Sequence, residues 1–423
     1  MRLPVLKIEE VTERQLCTGC GICAALEPDR FEIDESLDFG RRPFVKDGAV
    51  ETTGEGLAAC PGIHLSHEET PREGVDEGMF PAWGPVLEVW EGWAADESIR
   101  AAGSSGGAAT ALALHCIEAG GMDQVLHTAA RKDVPYLNES IFSTDRNQLL
   151  ERSGSRYAPA SPCDRIGELV DMPGKTVFIG KPCDAAAIAS ARRLRPEIDD
   201  KIGCVIAFCC AGAPSTKGTL AILKDAGIDD PTKLRSLRYR GNGWPGMWRA
   251  EFEDSEGNLQ VTERTYAASW GFVQRYRQWR CYICPDHTGE FADIAVGDPW
   301  YREVEPGELG SSLIVVRNER GRRILQDAVA SGHIVLKNQD KSLLPRSQPN
   351  LLSTRGGLWA RMIVLRIFGV VTPVYEGLPS FRFWWKDLSL KAKISSITGT
   401  AKRVFRKKLR DRHPMKRWTP PGE

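Results

Sequence analysis

The sequence predicts an α/β (α+β) fold with a small N-terminal module, a larger domain built on a mixed sheet, and a helical, basic C-terminal tail. Apolar runs of strand length alternate with helical stretches through the middle of the chain, a pattern typical of a sheet covered by helices. A Pro- and Gly-rich stretch, residues 71–85, separates this region from four cysteines near the N-terminus. The 423 residues are enough for two or three domains.

Apolar periodicity and turn residues define the predicted elements in chain order. In the N-terminal module, alternation in residues 30–33 and 43–45 predicts a small hairpin. In the larger domain, Ser104 or Ser105 is expected to cap a helix over residues 108–118, which two glycines end. Apolar runs predict further strands at 125–129, 176–180, 204–209, 292–296 and 312–316. Helices are also predicted through the C-terminal tail and at 185–194 and 218–226.

Charged residues are unevenly distributed along the chain. Basic and acidic residues both number 56, yet residues 386–423 carry twelve basic against three acidic residues. This basic tail is expected either to contact something anionic or to be solvated. No secretory signal opens the sequence, and the best apolar stretch, residues 358–371, is too short for a membrane span. We expect a cytoplasmic protein that binds no nucleic acid. The alternative is that it contacts the inner membrane surface peripherally.

Twelve cysteines in a chain of this size indicate metal ligation or redox chemistry rather than a disulfide framework. Cys17, Cys20 and Cys23 form a C-x2-C-x2-C run, and Cys60 follows at a distance, directly before a proline. Three thiolates at this spacing, with a fourth from elsewhere, suit a 4Fe-4S cluster, and the proline fits the bacterial ferredoxin pattern. Two glycines in the run let the backbone curl and point amides at the cluster sulfurs. The alternative is a zinc knuckle, although zinc sites usually pair two C-x2-C units.

A second cysteine group is predicted where strand ends converge. Cys281 and Cys284 form a C-x2-C pair that would be a weak signal alone. Cys183 comes just after a predicted buried strand, and Cys209 and Cys210 end the next apolar run. Because strand ends in an α/β sheet meet at one edge, these segments could supply four thiolates to a second cluster.

Other interpretations of these cysteines are open at this point. The single cysteines of the second group could be buried apolar residues, and the group could instead bind zinc together with His287. The remaining cysteines lack ligand-like neighbours in the sequence and are interpreted as structural: Cys116, Cys163 and Cys204.

A glycine-rich loop and a serine-rich segment are candidates for binding a nucleotide. The loop Gly103–Gly107 leads into the predicted helix, where free amides can bind a pyrophosphate, and the alternative is a plain helix cap. The segment Ser153–Tyr157 adds hydroxyls, an arginine and an aromatic ring. The candidate cofactor-binding residues are therefore Ser104, Ser105, Gly106, Gly107, Ser153, Ser155, Arg156 and Tyr157.

Together these segments resemble the beta-subunit family of coenzyme F420 hydrogenases and dehydrogenases. Relatives of that family include the 7-hydroxymethyl chlorophyll a reductases and the ferredoxin-dependent 8-vinyl reductases. The resemblance covers about residues 10–345, and its ordered set of motifs is more specific than any single motif. The matching segments are the N-terminal cysteine run, GSSGGAATAL (103–112), GSRYAPAS (154–161), GKPCDAAAI (180–188), FCCAGAPS (208–215), RYRGNGWPG (238–246) and RCYICPDHTGEFADIAVGDPW (280–300).

The resemblance implies an FAD-containing α/β catalytic domain that holds a four-iron cluster. The family's cluster ligands map onto Cys183, Cys210, Cys281 and Cys284, with Cys209 as the alternative to Cys210. The expected units are a 4Fe-4S ferredoxin-like module (1–70), a linker (71–85), a flavin-binding part (86–168), a part with the second cluster and the flavin or substrate side (169–345), and a helical basic tail (346–423). Turn formation and packing are the alternative roles for the candidate catalytic residues Arg240, Asn242, Trp244 and Asp298.

The resemblance and the two cysteine groups predict an electron relay. A one-electron donor, expected to be ferredoxin, would reduce the N-terminal cluster, and electrons would pass through the second cluster to FAD and then to an organic substrate or the deazaflavin coenzyme F420. The alternatives are an electron-transfer subunit of a larger hydrogenase or dehydrogenase, and an accessory redox protein in cell-surface polysaccharide synthesis. In the last case the tail, with Trp384, Trp385 and Phe405, could rest on an anionic membrane.

Overall fold

The structure, a computed structural model, describes residues 5–68, 70, 72–303, 305 and 307–422. Residues 1–4 of the predicted N-terminal module and Pro71 at the start of the predicted linker lie outside the described residues. A mixed eight-stranded sheet with helices on both faces forms the centre of the molecule, which confirms the predicted fold class.

The strands of the described residues are, in chain order, β1 (Phe31–Asp34), β2 (Arg42–Val45), β3 (His64–Ser66), β4 (Glu88–Ala94), β5 (Gln124–Ala130), β6 (Asn138–Ser143), β7 (Thr176–Gly180), β8 (Ile202–Phe208), β9 (Leu234–Arg238), β10 (Met247–Glu253), β11 (Leu259–Thr265), β12 (Ile294–Gly297), β13 (Ser312–Val316), β14 (Ile334–Gln339) and β15 (Val374–Glu376). The α-helices are α1 (Ile8–Glu13), α2 (Ile22–Leu26), α3 (Glu55–Ala58), α4 (Phe80–Trp83), α5 (Glu97–Ala102), α6 (Ala108–Glu118), α7 (Arg146–Glu151), α8 (Pro182–Leu194), α9 (Pro196–Lys201), α10 (Thr216–Asp225), α11 (Tyr266–Val273), α12 (Glu319–Ala330), α13 (Leu343–Ser347), α14 (Pro349–Gly356), α15 (Leu358–Ile367), α16 (Ser380–Lys386) and α17 (Leu390–Arg406). Short 3-10 helices span Pro162–Val170, Pro231–Lys233, Gln274–Tyr276 and Trp279–Ile283.

The central sheet has the strand order β14-β4-β13-β12-β8-β7-β5-β6. Strands β12, β8, β7 and β5 are parallel neighbours, and the outer strands pair antiparallel. All residues of β7 are buried, as expected for a parallel strand with both faces covered. Every predicted strand of the larger domain is present, and its ends differ from the prediction by at most two residues.

Alternate residues of the central strands face two separate cores. Val177 and Ile179 of β7 pack in the core that contains residues of α6 and α12, whereas Phe178 packs in the core that contains residues of α8 and α9. A sheet covered on both faces requires this alternation, because successive side chains of a strand point to opposite sides. The parallel strands β7, β8 and β12 end at one edge, and the segments that follow them form the candidate site.

Three smaller sheets accompany the central sheet in the described residues, and one of them, formed by β3 and β15, involves the tail. Strands β1 and β2 form the antiparallel hairpin predicted in the N-terminal module. Strands β9, β10 and β11 form an antiparallel sheet of their own, in the order β11-β10-β9.

Helix α6 covers the predicted residues, but the predicted cap is wrong. Gly107 occupies the N-cap position with φ +69°, and neither Ser104 nor Ser105 has that role. The Ser105 hydroxyl instead lies 3.2 Å from the Ser312 hydroxyl. A Cβ on residue 107 would lie 2.7 Å from the carbonyl oxygen of Ile99, so close packing against α5 requires glycine here.

The second half of the predicted linker is packed against the larger domain. Helix α4 lies within residues 71–85 and buries the side chains of Phe80 and Trp83. The buried guanidinium group of Arg317 donates hydrogen bonds to the carbonyl oxygens of Trp83, at 2.6 Å, and Pro85, at 2.9 Å. This stretch is therefore anchored by two aromatic side chains and one arginine.

The tail is helical, as predicted, and it connects the other parts of the chain. Strand β15 pairs in parallel with β3 of the N-terminal module. Arg412 forms ion pairs with Glu10 and Glu13 of the module, and Arg417 pairs with two acidic residues of β1. Part of the tail's positive charge is thus neutralised within the chain. No helix in the described ranges is both long and apolar enough to cross a membrane.

Candidate functional site

The four cysteines of the N-terminal module lie together in a buried group. Cys17 follows helix α1, Cys20 and Cys23 flank the start of α2, and Cys60 follows α3. Burial raises the pKa of Cys23 well above its ordinary value, and the neighbouring thiolates add to this rise; they are those of Cys20, Cys17 and Cys60. The structure thus brings together all four residues that were predicted to hold the first cluster, and ligation itself stays a prediction.

Backbone amides and cations surround this group as a negatively charged cluster requires. Gly19 and Gly21 have left-handed backbone conformations, with φ of +72° and +93°, and the Gly19 N–H donates to the Cys17 sulfur at 3.4 Å. Burial raises the pKa of Cys17, while the guanidinium groups of Arg42 and Arg280 act to lower it. Four thiols, an amide donor and two guanidinium groups fit a four-iron cluster.

The second cysteine group also assembles in the structure. Cys183 lies in the first turn of α8 directly after β7, Cys210 follows β8, and Cys281 and Cys284 lie in and after the last 3-10 helix. Burial raises the pKa of Cys183 well above its ordinary value, with contributions from Cys284 and Cys210. Burial also raises the pKa of Cys284 to about 12, and Cys281 and Cys210 contribute to that rise. The four thiols predicted from separate segments therefore lie within electrostatic reach of one another.

The adjacent Cys209 is turned away from this group. A Cβ on Gly297 of β12 would lie only 2.7 Å from the Cys209 sulfur, which places that sulfur against the neighbouring strand. After burial, the charge that acts most on the pKa of Cys209 is that of Arg317, whereas for Cys210 it is that of Cys281. The geometry therefore favours Cys210 over Cys209 as the fourth ligand.

Positive charge gathers around the C-x2-C pair of the second group. The guanidinium groups of Arg277 and Arg403 lie 4.7 and 4.9 Å from the ring centre of Tyr282, the residue after the first cysteine of the pair. Arg361 donates a hydrogen bond to the Tyr282 carbonyl oxygen at 2.8 Å, and burial together with the charges of Arg403 and Arg277 lowers its pKa to about 10. Clustered cations are costly unless negative charge lies nearby, and a cluster held by four thiolates would supply it.

Zinc was the alternative occupant of both cysteine groups. Among the described residues, no group of three or more His, Cys, Asp or Glu side chains has the geometry of a site for one metal ion. A four-iron cluster needs a wider arrangement, because each cysteine sulfur binds a different iron, whereas sulfurs around zinc lie about 2.3 Å from one centre. His287, the candidate zinc ligand, forms a 2.8 Å hydrogen bond through Nδ1 with the Cys210 carbonyl oxygen, and burial lowers its pKa to about 4. Its buried Nε2 has no hydrogen-bond partner among the described residues, which is the arrangement of a histidine that can bind a metal through that atom.

One further cysteine lies between the two groups. Cys163, interpreted as structural from the sequence, is buried in the 3-10 helix Pro162–Val170, and its N–H donates to the Cys20 carbonyl oxygen at 3.0 Å. Its thiol reaches the Cys20 sulfur, and this hydrogen bond lowers the pKa of Cys20. The same thiol lies 3.6 Å from the carbonyl oxygen of Asp184, which follows Cys183. No local motif signals this role, because the contacts join residues far apart in the chain.

A cavity of about 350 Å³ opens beside the second cysteine group. Its wall contains the cysteine pair at 209–210 together with residues of the loop Gly103–Gly107 and the segment Ser153–Tyr157. The hydroxyl oxygens of Ser104 and Ser155 are 2.7 Å apart and connect these two segments. The volume lies in the range of small-molecule sites, and the two segments predicted to bind a cofactor meet at this cavity.

Two of the predicted cofactor-binding residues have structural roles. Gly106 lies behind the cavity wall, where its N–H donates to the Ser312 hydroxyl at 3.0 Å. Arg156 lines the cavity, but its guanidinium donates to the Asn138 side chain and to the Leu237 carbonyl oxygen, each at 2.7 Å. Arg156 therefore anchors its segment to the surrounding strands.

A buried ion pair organises another part of the cavity wall. The Arg240 side chain is 4% exposed and donates two hydrogen bonds to the Asp298 carboxylate, at 2.6 and 2.9 Å. The Trp244 indole N–H donates to the same carboxylate at 2.9 Å, and Arg240 also donates to the Ser104 carbonyl oxygen at 2.6 Å. Burial acts to lower the pKa of Arg240, but the Asp298 carboxylate raises it above its ordinary value, so the guanidinium stays charged.

Asn242, the fourth candidate catalytic residue, lies apart from this ion pair. It is exposed, its side-chain oxygen accepts a hydrogen bond from Arg238, and it lines a second, adjoining cavity of about 1350 Å³. Tyr266 and Trp300, which the sequence did not single out, line both cavities, and their rings stack with centroids 5.8 Å apart. Trp300 ends a motif that marks the family, whereas nothing local to Tyr266 indicates its position.

Three polar residues complete the first cavity without having been predicted. His127 of β5 is buried, and this burial lowers its pKa to about 4. Lys181 forms an ion pair with Asp184 at 2.7 Å. Gln348 of the tail donates a hydrogen bond to the Asp298 carbonyl oxygen at 2.9 Å. The tail therefore contributes directly to the candidate site.

Three family models match consecutive parts of the chain. The 4Fe-4S single cluster domain matches residues 11–66. The coenzyme F420 hydrogenase/dehydrogenase models match residues 89–166, for the N-terminal part of the beta subunit, and residues 174–342, for its C terminus. The two beta-subunit models together cover more than half of the chain.

The chain is also similar to three proteins of methanogens. It is 24% identical to the F420-dependent formate dehydrogenase subunit beta of Methanocaldococcus jannaschii over 59% of this chain and 62% of that protein, so the match spans less than two thirds of this relative. It is 23% identical to the coenzyme F420 hydrogenase subunit beta of Methanosarcina barkeri over 56% of this chain and 77% of that protein. It is 21% identical to an F(420)H(2) dehydrogenase subunit of Methanosarcina mazei over 74% of this chain and 86% of that protein.

The fold is similar to that of a chain in the F420-reducing NiFe hydrogenase complex of Methanosarcina barkeri. The TM-score is 0.51 at 20% sequence identity, and the match covers 70% of this chain and 97% of that chain. At this identity the similarity concerns the fold alone. The family models, taken with the fold, identify this chain as a member of the coenzyme F420 hydrogenase/dehydrogenase beta-subunit family, a family of oxidoreductases, with a 4Fe-4S domain in its N-terminal part.

Proposed function

We propose that this chain is an FAD- and iron–sulfur-dependent oxidoreductase that passes electrons from a one-electron donor, ferredoxin or a similar protein, through two 4Fe-4S clusters to FAD. The final acceptor would be an organic substrate or coenzyme F420. One observation carries the proposal: the residues 209–210 belong to the segment of the second cysteine group and also to the cavity wall. A flavin in the cavity would therefore contact the backbone that holds the second cluster, and electron transfer between cofactors needs such close placement.

The chain's own side chains supply the two proposed cluster sites. The ligands would be Cys17, Cys20, Cys23 and Cys60 for the first site, and Cys183, Cys210, Cys281 and Cys284 for the second. When bound, the clusters supply one-electron transfer, and FAD links it to two-electron chemistry. The buried guanidinium of Arg280 acts on the pKa values of cysteines in both groups. A fixed positive charge there favours the more negative, reduced state of either site.

The start of helix α6 and the two segments beside it would hold the flavin. The first amides of a helix have no intrahelical partner and carry partial positive charge, which suits a pyrophosphate. The hydroxyls of Ser104 and Ser155 already contact each other at the cavity wall and offer further donors and acceptors. Arg240 is committed to Asp298 and to backbone carbonyl oxygens, so its proposed role is to position the loop Gly103–Gly107.

The second cavity would receive the substrate. It adjoins the first cavity across the stacked rings of Tyr266 and Trp300 and is also lined by Trp244, Asn242 and Met247. Aromatic walls suit a planar ring system, because offset stacking adds to the burial of its faces. This arrangement supports a substrate with a planar ring, such as a deazaflavin.

An electron-transfer subunit of a larger hydrogenase or dehydrogenase is the second candidate function. The three methanogen relatives are each described as a subunit of an F420-linked enzyme. In that case the chain would use the same cysteine groups and cavity but would exchange electrons with a partner subunit instead of free ferredoxin.

Anaerobic reduction of the isolated, cofactor-loaded chain tests the proposal. Loss of the flavin absorbance on mixing with reduced ferredoxin alone would support the first function, and loss only with reduced coenzyme F420 would favour the second. Cys284→Ala should abolish reduction by ferredoxin, whereas Cys116→Ala, which changes a buried cysteine of α6, should retain it. A flavin-containing chain that neither donor reduces would contradict both functions.

A further inference from the structure

A stripe of exposed apolar side chains runs along the last helix of the tail. In α17, the residues Leu390, Ile394, Ile397 and Phe405 are 73%, 52%, 41% and 63% exposed. Their separations of four, three and eight residues place them on one side of the helix. An adjacent side of the helix, formed by Ser396, Thr400 and Val404, is buried against the rest of the chain. The helix therefore packs through small and polar residues, and the chain does not cover its apolar stripe.

Two aromatic residues of α16 extend this exposed surface. Phe381 and Trp385 are 50% and 61% exposed, and their ring centroids lie 6.3 Å apart. Lys393 of α17 lies 5.4 Å from the Trp385 ring and donates a hydrogen bond to the Trp385 carbonyl oxygen at 2.7 Å, which holds α16 beside α17. We define the apolar face as Phe381, Trp385, Leu390, Ile394, Ile397 and Phe405.

Basic residues outnumber acidic residues along the apolar face. Residues 381–410, which contain the whole face, hold ten lysines and arginines and one acidic residue, Asp387, which is exposed between α16 and α17. Lys391, Lys402 and Arg406 are exposed, and their positions in α17 place them beside the apolar stripe. The ion pairs between the tail and the N-terminal module use Arg412 and later residues, so they do not neutralise this segment.

We propose that helices α16 and α17 lie on the surface of an anionic lipid bilayer. The apolar face enters the boundary between headgroups and acyl chains, and the bordering lysines and arginines contact lipid phosphates. A narrow apolar stripe with basic residues along its side is the pattern of an interfacial helix, because long basic side chains can keep their charges at the headgroups. Charge complementarity selects this occupant, because the basic residues that border the face match a surface of anionic headgroups. Apolar burial and charge together give the two signals that stable peripheral binding needs.

Flotation with lipid vesicles tests this proposal on the full-length, cofactor-loaded protein. We expect the protein to float with vesicles of phosphatidylcholine that contain roughly one third phosphatidylglycerol, and to stay at the bottom with phosphatidylcholine alone. Salt at about 1 M should weaken the binding, because it screens the attraction to the anionic headgroups. Failure of the intact protein to float with the anionic vesicles, or equal flotation with the neutral ones, would overturn the proposal.

Matched substitutions test whether vesicle binding depends on the apolar face or on exposed apolar residues anywhere on the protein. Ile394→Asp should lower the partition coefficient by about tenfold or more, because it removes apolar burial and adds a charge that the lipid repels. Leu259→Asp in β11 should leave the partition coefficient unchanged, although Leu259 is 63% exposed. Unchanged iron content in both variants would show that the fold is intact. Equal flotation of Ile394→Asp and the unsubstituted protein would also overturn the proposal.

Discussion

The ion pair between Arg240 and Asp298 gives a quantitative test of how the cavity is built. Asp298→Ala removes the carboxylate that accepts two hydrogen bonds from a guanidinium only 4% exposed. Removing one partner of a buried ion pair costs about 3–5 kcal/mol, because the remaining charge stays buried and uncompensated. The Trp244 indole N–H also loses its acceptor, a loss of about 1–3 kcal/mol when nothing replaces it. Since both groups share one carboxylate and the losses do not add fully, we expect the free energy of unfolding to fall by about 3–5 kcal/mol.

Urea unfolding followed by tryptophan fluorescence measures this change, and FAD content measured on the same samples reports on the cavity. The matched control is Glu253→Ala, because Glu253 pairs with Arg235 where the two side chains are 30% and 54% exposed. Such a surface pair contributes about 0–1 kcal/mol, so this variant should keep its stability and its flavin. Asp298→Asn keeps an acceptor for Trp244 without the charge and should be intermediate.

A loss below about 1 kcal/mol for Asp298→Ala, with flavin content unchanged, would refute the expected stabilisation by the buried ion pair. It would mean that the guanidinium finds other partners or water, and that the loop Gly103–Gly107 does not depend on Arg240 for its position. Equal losses in Asp298→Ala and Glu253→Ala would refute it as well, because burial would then make no difference.

Three further predictions concern the cysteines and one buried histidine. Cys284→Ala should lose about half of the bound iron, whereas Cys116→Ala should keep all of it. Full iron content in Cys284→Ala would mean that the second cysteine group holds no cluster. Cys163→Ala should lower the reduction potential of the N-terminal cluster, measured by electron spin resonance during redox titration, because the hydrogen bond to the Cys20 sulfur is lost, and Cys163→Ser should shift it less. An unchanged potential in Cys163→Ala would contradict that contact. Burial lowers the pKa of His127 to about 4. Below about pH 6.5 the His127 imidazole therefore takes up a proton more readily in the unfolded chain than in the folded one. About 3 kcal/mol of stability should therefore be lost between about pH 6.5 and 4, and His127→Gln should show a flatter pH dependence of the urea midpoint.

Several strands could be predicted because their sequences consist almost entirely of apolar and β-branched residues. Strands β7 and β13 are short, apolar and rich in β-branched residues, and the structure has both with the predicted ends. Strands β4 and β14 of the same sheet were not predicted, because Glu88–Ala94 mixes charged, aromatic and glycine residues and Ile334–Gln339 is largely exposed. The cap of α6 was wrong because it depends on packing against Ile99, which only the tertiary structure shows.

Site residues that lie in short sequence motifs could also be predicted, whereas those that only the tertiary structure brings to the site could not. Both cysteine groups could be predicted, because their ligand candidates lie in short motifs or at strand ends. Tyr266, Gln348 and Cys163 could not, because each contacts the site through segments distant in the sequence. Arg156 was predicted to bind the cofactor from its residue type, yet the structure satisfies its guanidinium with neighbouring strands.

The cofactor content of protein purified without oxygen tests directly whether both cysteine groups hold clusters beside a flavin. Iron, acid-labile sulfide and flavin should be measured on one sample, together with an electron spin resonance spectrum of the reduced protein. Two sites with four cysteine ligands each predict about eight irons per chain and spectra of two 4Fe-4S clusters. The proposed flavin site in the first cavity predicts one FAD per chain. Colourless protein, or protein that contains zinc in place of iron, would show that neither cysteine group holds an iron–sulfur cluster.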